Sequence, residues 1–372
     1  MLNKSSLKKI PRWIPAYYIL MAFWFLSTAL HIPDGYLSPA TTTVMTILVL
    51  PFWIIGLKKL REKISAKTVS AVALFAAFSF VIMMFNVPLP GGTTGHAVGG
   101  ALAAIILGPE IATIAISIAL VIQAIFFGDG GILAIGANCF NLAVILPYVS
   151  YAIYQAFSRN QPLDSKRRIL GSAVGGWAGL TIAAFVTAVQ FGIQPAFWHA
   201  ADGTPLYAPY PLSVAIPAMV IPHILVASVV EGLITALVVA YLIRANKPAL
   251  EFVNKIETSS APSNAPKWRT LWIGLAVLIV ITPLGLLAPG TAWGEWGAEE
   301  LTSLGFSFIP EGLEKLSGLW SAPMPDYEIP AIQNPTVAYI LSAIIGIFIV
   351  VGLVWLFAKL VAIGRKPEPQ KS

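Results

Sequence analysis

Four histidines, His31, His96, His199 and His223, are the imidazoles of this chain, and the placement of the first makes transition-metal chemistry the leading question. His31 stands second in LHIPDGYLS, residues 30–38, directly after a stretch built like a secretory signal. Positive charges lie in MLNKSSLKKIPR, Ile14 to Leu26 is apolar, and Ser27-Thr28-Ala29 ends it with small residues. Cleavage after Ala29 would make Leu30 the first residue. A free amine followed by histidine is a chelate: the Leu30 amine, the His31 amide nitrogen and the His31 ring nitrogen close fused five- and six-membered rings on one ion. Such a roughly planar, all-nitrogen set suits Ni(II), Cu(II) and, less strictly, Co(II). The other reading is an uncleaved first membrane helix with an incidental histidine at its end.

His96 ends the loop VPLPGGTTGH, where the chain enters the next apolar segment. Its ring would complete a planar set of four nitrogens, and the flank GGTTGHAVGG permits close backbone approach. Alternatively it is a plain loop histidine. His199, beside Phe197 and Trp198, reads as an interfacial residue of an aromatic belt. His223 and Glu231 lie in IPHILVASVVEGLITAL, and both should face the protein interior. Eight positions apart, they fall about 80° out of register on a helix, so they need not share a site. His223 is expected to support the site or the structure.

FGDGGILAIGANCFN presents Asp129, Asn138 and Asn141. The two asparagines share one helix face, where they can bond across helices or brace a ligating histidine. The alternative is a glycine-rich turn with Asp129 as a helix cap. Asp34 is expected to tie down the arm through an Asx turn with Gly35. Cys139, within an apolar run, reads as a small core residue before it reads as a thiolate ligand.

The elements that must position these groups are membrane helices. Hydrophobic residues make up 57% of the 372 and charged ones only 11%, against about 25% charged in a soluble domain. The net charge of +6 does not point to nucleic acid, because the basic residues sit in short loops between apolar stretches. Those stretches fall near 39–57, 67–87, 110–127, 131–156, 169–193, 213–243, 271–288 and 336–360. Lysine and arginine cluster at 58–67, 159–168, 244–269 and 359–371, which the positive-inside rule makes cytoplasmic. Parity then requires a turn at Gly108-Pro109, so that 98–107 is a short segment buried inside the bundle. The expected fold is an all-α polytopic helical bundle of about nine mature segments, one short, after a cleavable signal. Its mature N-terminus lies outside and its C-terminus inside.

The expected units are a signal at 1–29, a membrane core at 30–246, a polar cytoplasmic linker at 247–269, and a two-helix extension with an external loop at 270–372. No G-x-x-x-x-G-K-[ST] loop occurs, so the chain does not hydrolyse ATP by that device. Ala73 and Ala77 offer a small-xxx-small face to a partner helix.

HIPDGYLSP, PLPGGTTGHAVGGALAAIILGPEIA, QAIFFGDGGILAIGANCFNLA and HILVASVVEGLITALVVAYL follow one another over residues 30–250. In this the chain resembles the membrane-embedded substrate-binding subunit of cobalt/nickel energy-coupling-factor importers, the CbiM/NikM family. The resemblance implies that Leu30, His31 and His96 hold a transported Ni²⁺ or Co²⁺; the residues' own placement adds His223, Asn138 and Asn141 as expected supports behind them. It implies no cofactor and no ATPase of its own. The partners implied are a transmembrane coupling subunit, two cytoplasmic ATPases and a small accessory membrane subunit, all in the cell membrane. Many relatives carry the histidine directly after an initiator Met, whereas here Leu30 follows 29 residues, so the amine depends on cleavage. From about 270 onward the chain is similar to a C-terminal extension of some relatives; PEGLEKL resembles their PDGLE element, with Glu311 in place of Asp. Two other classes stand against a transporter. One is a non-transporting metal sensor, although no signalling domain is attached. The other is a membrane metallohydrolase built on His223 and Glu231, although paired histidine ligand spacing is absent.

Overall fold

The computed structural model describes residues 30–89, 93–245, 247–250, 252, 268–288 and 291–362. The signal expected at 1–29 and most of the linker expected at 247–269 lie outside the described residues. Among the described residues, eight helices are long and apolar enough to cross a bilayer: α1 Pro39–Glu62, α2 Ala66–Met83, α4 Pro109–Phe127, α5 Ile135–Ser158, α6 Lys166–Phe197, α7 Leu212–Ala245, α8 Trp268–Leu287 and α9 Pro335–Leu360. Between α2 and α4 runs the short helix α3, Gly100–Leu107. The protein is a multi-pass helical membrane bundle, as its hydropathy requires.

Local chemistry sets the helix ends. The Ser38 hydroxyl accepts from Thr41 N ahead of Pro39, and Ser65 does the same for Thr68 ahead of α2. The turn expected at Gly108-Pro109 is present: Gly108 stands at φ +83°, and Pro109 opens α4. All eight residues of α3 are buried among α4, α5, α6 and α7, so no lipid meets its open backbone ends. Apolar side chains spaced by four along α7, namely Leu225, Val229, Leu233, Leu237 and Tyr241, face outward as a bilayer permits.

Two departures from the expected pattern matter. Part of the loop before His96 is a β-hairpin, Val87–Leu89 against Thr93–Gly95, which delivers His96 to the mouth of α3. Ala73 and Ala77 are buried, because α2 packs against α4 and the C-terminal helix α9. The chain itself therefore covers the face proposed for a partner.

The polypeptide between α8 and α9 folds back over the end of the bundle that carries residues 30–38. Trp320 Nε1 donates to Ile125 O at 2.8 Å and Met324 N to Phe126 O at 3.0 Å. Gly312 N donates to Leu206 O at 2.7 Å. Tyr339 OH, on α9, donates to Met84 O at 2.8 Å.

Candidate metal centre

The arm at residues 30–38 has no regular secondary structure, so every one of its backbone groups must find a partner elsewhere. Asn138, at the start of α5, supplies two: Ile32 N donates to its Oδ1 at 2.8 Å, and its Nδ2 donates to Ile32 O at 3.1 Å. Asp34 ties the arm to the α4–α5 loop by accepting from Ile132 N at 2.9 Å and Leu133 N at 2.8 Å. A turn runs through Asp34 and Gly35 as well, with Gly35 at φ +91°. Burial pushes the Asp34 carboxyl above its usual range despite those amides. Asn141 turns elsewhere: its amide donates to Thr187 Oγ1 and Gln190 Oε1, pinning α5 to α6.

These ties bury Leu30 and His31 and bring His31 against His96, their ring centroids 4.9 Å apart. The Nδ1 of His96 lies 3.1 Å from Ala97 O. A carbonyl only accepts, so Nδ1 carries the proton and Nε2 keeps its lone pair. Burial, followed by the neighbouring His31, lowers the His96 pKa to about 4, so the ring is neutral at physiological pH. His31 Nδ1–H donates to Asp129 Oδ1, and its buried Nε2 has no hydrogen-bond partner. The His31 amide N–H donates to Glu295 Oε1 at 3.1 Å.

Asp129 is therefore no helix cap. It also accepts from Gln123 Nε2 at 3.2 Å and from Tyr327 OH. Burial alone would raise its pKa, but the His31 charge and these bonds outweigh that and hold it at about 2. Glu295 shows the opposite balance: burial, with the nearby Asp129 charge added, pushes its carboxyl well above the usual range. Two carboxyl groups thus hold the two His31 nitrogens that an amine–amide–ring chelate would use. Among the described residues, no three His, Cys, Asp or Glu side chains converge as metal donors. A four-donor site on these two imidazoles therefore needs main-chain nitrogen.

The remaining candidates fall outside the pair. His223 is buried in a π turn of α7, its Nδ1 2.7 Å from Met219 O, and it is close enough to act on His96 electrostatically. His199 is exposed, in an isolated bridge with Pro205. Cys139 is buried in the core.

Glu295, Tyr327 and Gln123 were not singled out from the sequence. Glu295 and Tyr327 belong to the α8–α9 connection, and nothing local in its sequence marks these two side chains for burial. The phrase APMPDY was the available signal for Tyr327, and a glutamine near the end of an apolar span was the signal for Gln123.

Comparison with known proteins adds the following. A family model described as "Cobalt uptake substrate-specific transmembrane region" matches residues 31–249, and one described as "PDGLE domain" matches residues 267–363. The chain is 48% identical to the fused nickel transport protein NikMN of Rhodobacter capsulatus, over 91% of this chain and 99% of that protein. It is 42% identical to the probable fused nickel transport protein LarMN of Lactiplantibacillus plantarum, over 86% of this chain and 95% of that one. A crystal structure of a transition metal transporter, 48% identical, superposes with a TM-score of 0.55 and covers 62% of this chain and all of its own.

Proposed function

The chain belongs to the cobalt uptake substrate-specific transmembrane family, with a PDGLE domain fused behind it, and from this premise we propose that it captures its cargo ion through Leu30, His31 and His96. As a cobalt/nickel transport component of the membrane, it must take a hydrated ion from one side and release it on the other. The observation that carries the proposal is the meeting of His31 and His96, both buried, with a lone pair on His96 Nε2.

Removal of residues 1–29 by signal peptidase frees the Leu30 amine. The ion then takes four nitrogens: that amine, the His31 amide, His31 Nδ1 and His96 Nε2. Binding at the amide and Nδ1 exchanges the contacts to Glu295 and Asp129 for bonds to the metal. Only a strongly Lewis-acidic ion displaces an amide proton near neutral pH, which excludes Mg²⁺, Ca²⁺ and Mn²⁺. Two relatives that span most of this chain are named for nickel, and a planar nitrogen set favours Ni²⁺ over Co²⁺. Nickel is therefore the proposed cargo.

Transport is of the energy-coupling-factor type. Residues 30–246 form the capturing core, and 270–372 form a two-helix extension whose external connection covers the site. A transmembrane coupling subunit and two cytoplasmic ATPases supply the power stroke. The mature N-terminus faces outside and the C-terminus the cytoplasm of a cell-membrane protein, following the basic clusters at 58–67, 159–168 and 244–269.

N-terminal sequencing and metal analysis of protein purified from its native membrane test this. The expected result is a terminus at Leu30 and one bound Ni²⁺, lost in His31→Ala. A terminus at Met1 without transition metal would overturn the chelate.

A further inference from the structure

Glu231 is the buried acid of α7, in the middle of a membrane span, and none of the cargo nitrogens belongs to it. Its carboxylate accepts from three consecutive-region amides: Val98 N and Gly99 N on Oε2, both at 2.8 Å, and Ala101 N on Oε1 at 3.1 Å. Gly99 is the N-cap of α3 and Ala101 lies in its first turn, so their amides are among those a helix start leaves without intrahelical acceptors, and Val98 N, just ahead of the helix, is a third donor beside them. In an apolar interior each would otherwise lose its hydration with nothing in exchange.

The acid is rigidly mounted. Gly232, next to it, lies so close to α6 that a Cβ there would stand 2.5 Å from Ala173 O, and one on Gly176 would stand 3.0 Å from Gly232 Cα. The segment it grips is held from another side as well, since Ser79 Oγ donates to Val98 O at 2.8 Å. Gly99 takes φ +75°, a conformation that leaves the path from His96 to Ala101 little freedom once these amides are fixed. His96 sits at the front of that path, with Nδ1 bonded to the carbonyl of the next residue. The orientation of its ring is therefore a property of the segment, and the segment's position is a property of Glu231.

We propose that Glu231 is a positioning residue for metal capture, setting where His96 Nε2 stands opposite His31 by gripping the amides of Val98, Gly99 and Ala101. This rests on His96 being the fourth metal donor. Glutamine is nearly isosteric with Glu231 but puts an NH₂ donor against N–H donors, so it cannot hold all three amides. Aspartate keeps both oxygens, drawn back by one methylene.

The test is Ni²⁺ affinity and the visible absorption band of bound Ni²⁺ in the full chain, for wild type, His96→Ala, Glu231→Gln, Glu231→Asp and the double variant Glu231→Gln/His96→Ala. Glu231→Gln is expected to weaken binding roughly 10–100-fold and to move the band towards that of His96→Ala. Glu231→Asp is expected to recover part of both, and the double variant to bind no more weakly than His96→Ala alone. A purely structural acid would lower yield or melting temperature while leaving the band of wild type and additive losses in the double variant, which overturns the proposal. Where Glu231→Gln does not fold, Glu231→Asp carries the same reading: a shifted band supports the proposal and an unshifted one overturns it. If His96→Ala binds Ni²⁺ as wild type does, the metal site itself is wrong and the proposal falls with it. If His96→Ala weakens binding and neither Glu231 variant does, the proposal alone falls.

Discussion

The backbone of Gly35 lies directly against that of Gly312: a Cβ on Gly35 would stand 2.6 Å from Gly312 O, and one on Gly312 would stand 2.8 Å from Gly35 O. The first residue belongs to the arm that carries His31 and the second to the PEGLE turn of the C-terminal unit. Two motifs at opposite ends of the sequence thus meet with no room for a side chain on either. The same unit reaches the arm a second time through Glu295, whose Oε1 accepts from His31 N.

Gly35→Ala should destabilise the protein by about 1–3 kcal/mol, because φ +91° strains any L residue and the added carbon meets Gly312. Gly203→Ala is the control, since Gly203 shares the positive φ (+89°) with nothing within 4 Å of the added carbon. A melting temperature in detergent that falls no further for Gly35→Ala than for Gly203→Ala would show that the contact does not constrain the arm.

Asn138→Ala removes both bonds to Ile32 and leaves its buried N–H unpaired, while Ile32 O keeps the bond from Gly131 N at 2.9 Å. A loss of about 1–3 kcal/mol is expected. Faster hydrogen exchange of the Ile32 amide should accompany it, with little change in α7. Unchanged protection at Ile32 would mean that the arm is held by other means.

Tyr327→Phe takes one donor from Asp129 and leaves Gln123 Nε2 without its 2.9 Å acceptor. The expected cost is about 1–2 kcal/mol, seen as easier proteolysis of the α8–α9 connection. Equal cleavage rates in wild type and variant would contradict the tie.

Stability should fall in acid through His96. Its folded pKa of about 4 lies below the ordinary 6.5, so between those values the unfolded chain binds more protons and stability rises with pH. The contribution is complete above pH 6.5 and lost as pH falls towards 4, a total of about 3 kcal/mol. Thermal denaturation of the metal-free protein across this window should show a shallower slope for His96→Gln than for wild type. Parallel slopes would place the titrating group elsewhere.

Much of the fold was legible because hydropathy is a contiguous, local property. The run Pro39–Glu62 is apolar over a bilayer's thickness wherever it sits, and Gly108-Pro109 turns the chain through its own torsions. The parity of basic loops even required α3, whose apolar length alone would have merged it with α4. The small hairpin ahead of His96 was not legible, since its strands are three residues each and their pairing carries no periodic signal.

The site divides in the same way. The sequence alone determined that His31 follows a cleavable-looking segment and that His96 opens a glycine-rich entry to the bundle, because both facts are adjacency along the chain. Tertiary structure decided what each buried polar atom pairs with: Asp129 and Glu295 on His31, Asn138 on Ile32, and Glu231 on Val98, Gly99 and Ala101. Partner choice depends on which distant residues a low-dielectric interior forces together, and an unpaired group there costs more than any local preference can supply. No spacing in the chain encodes that.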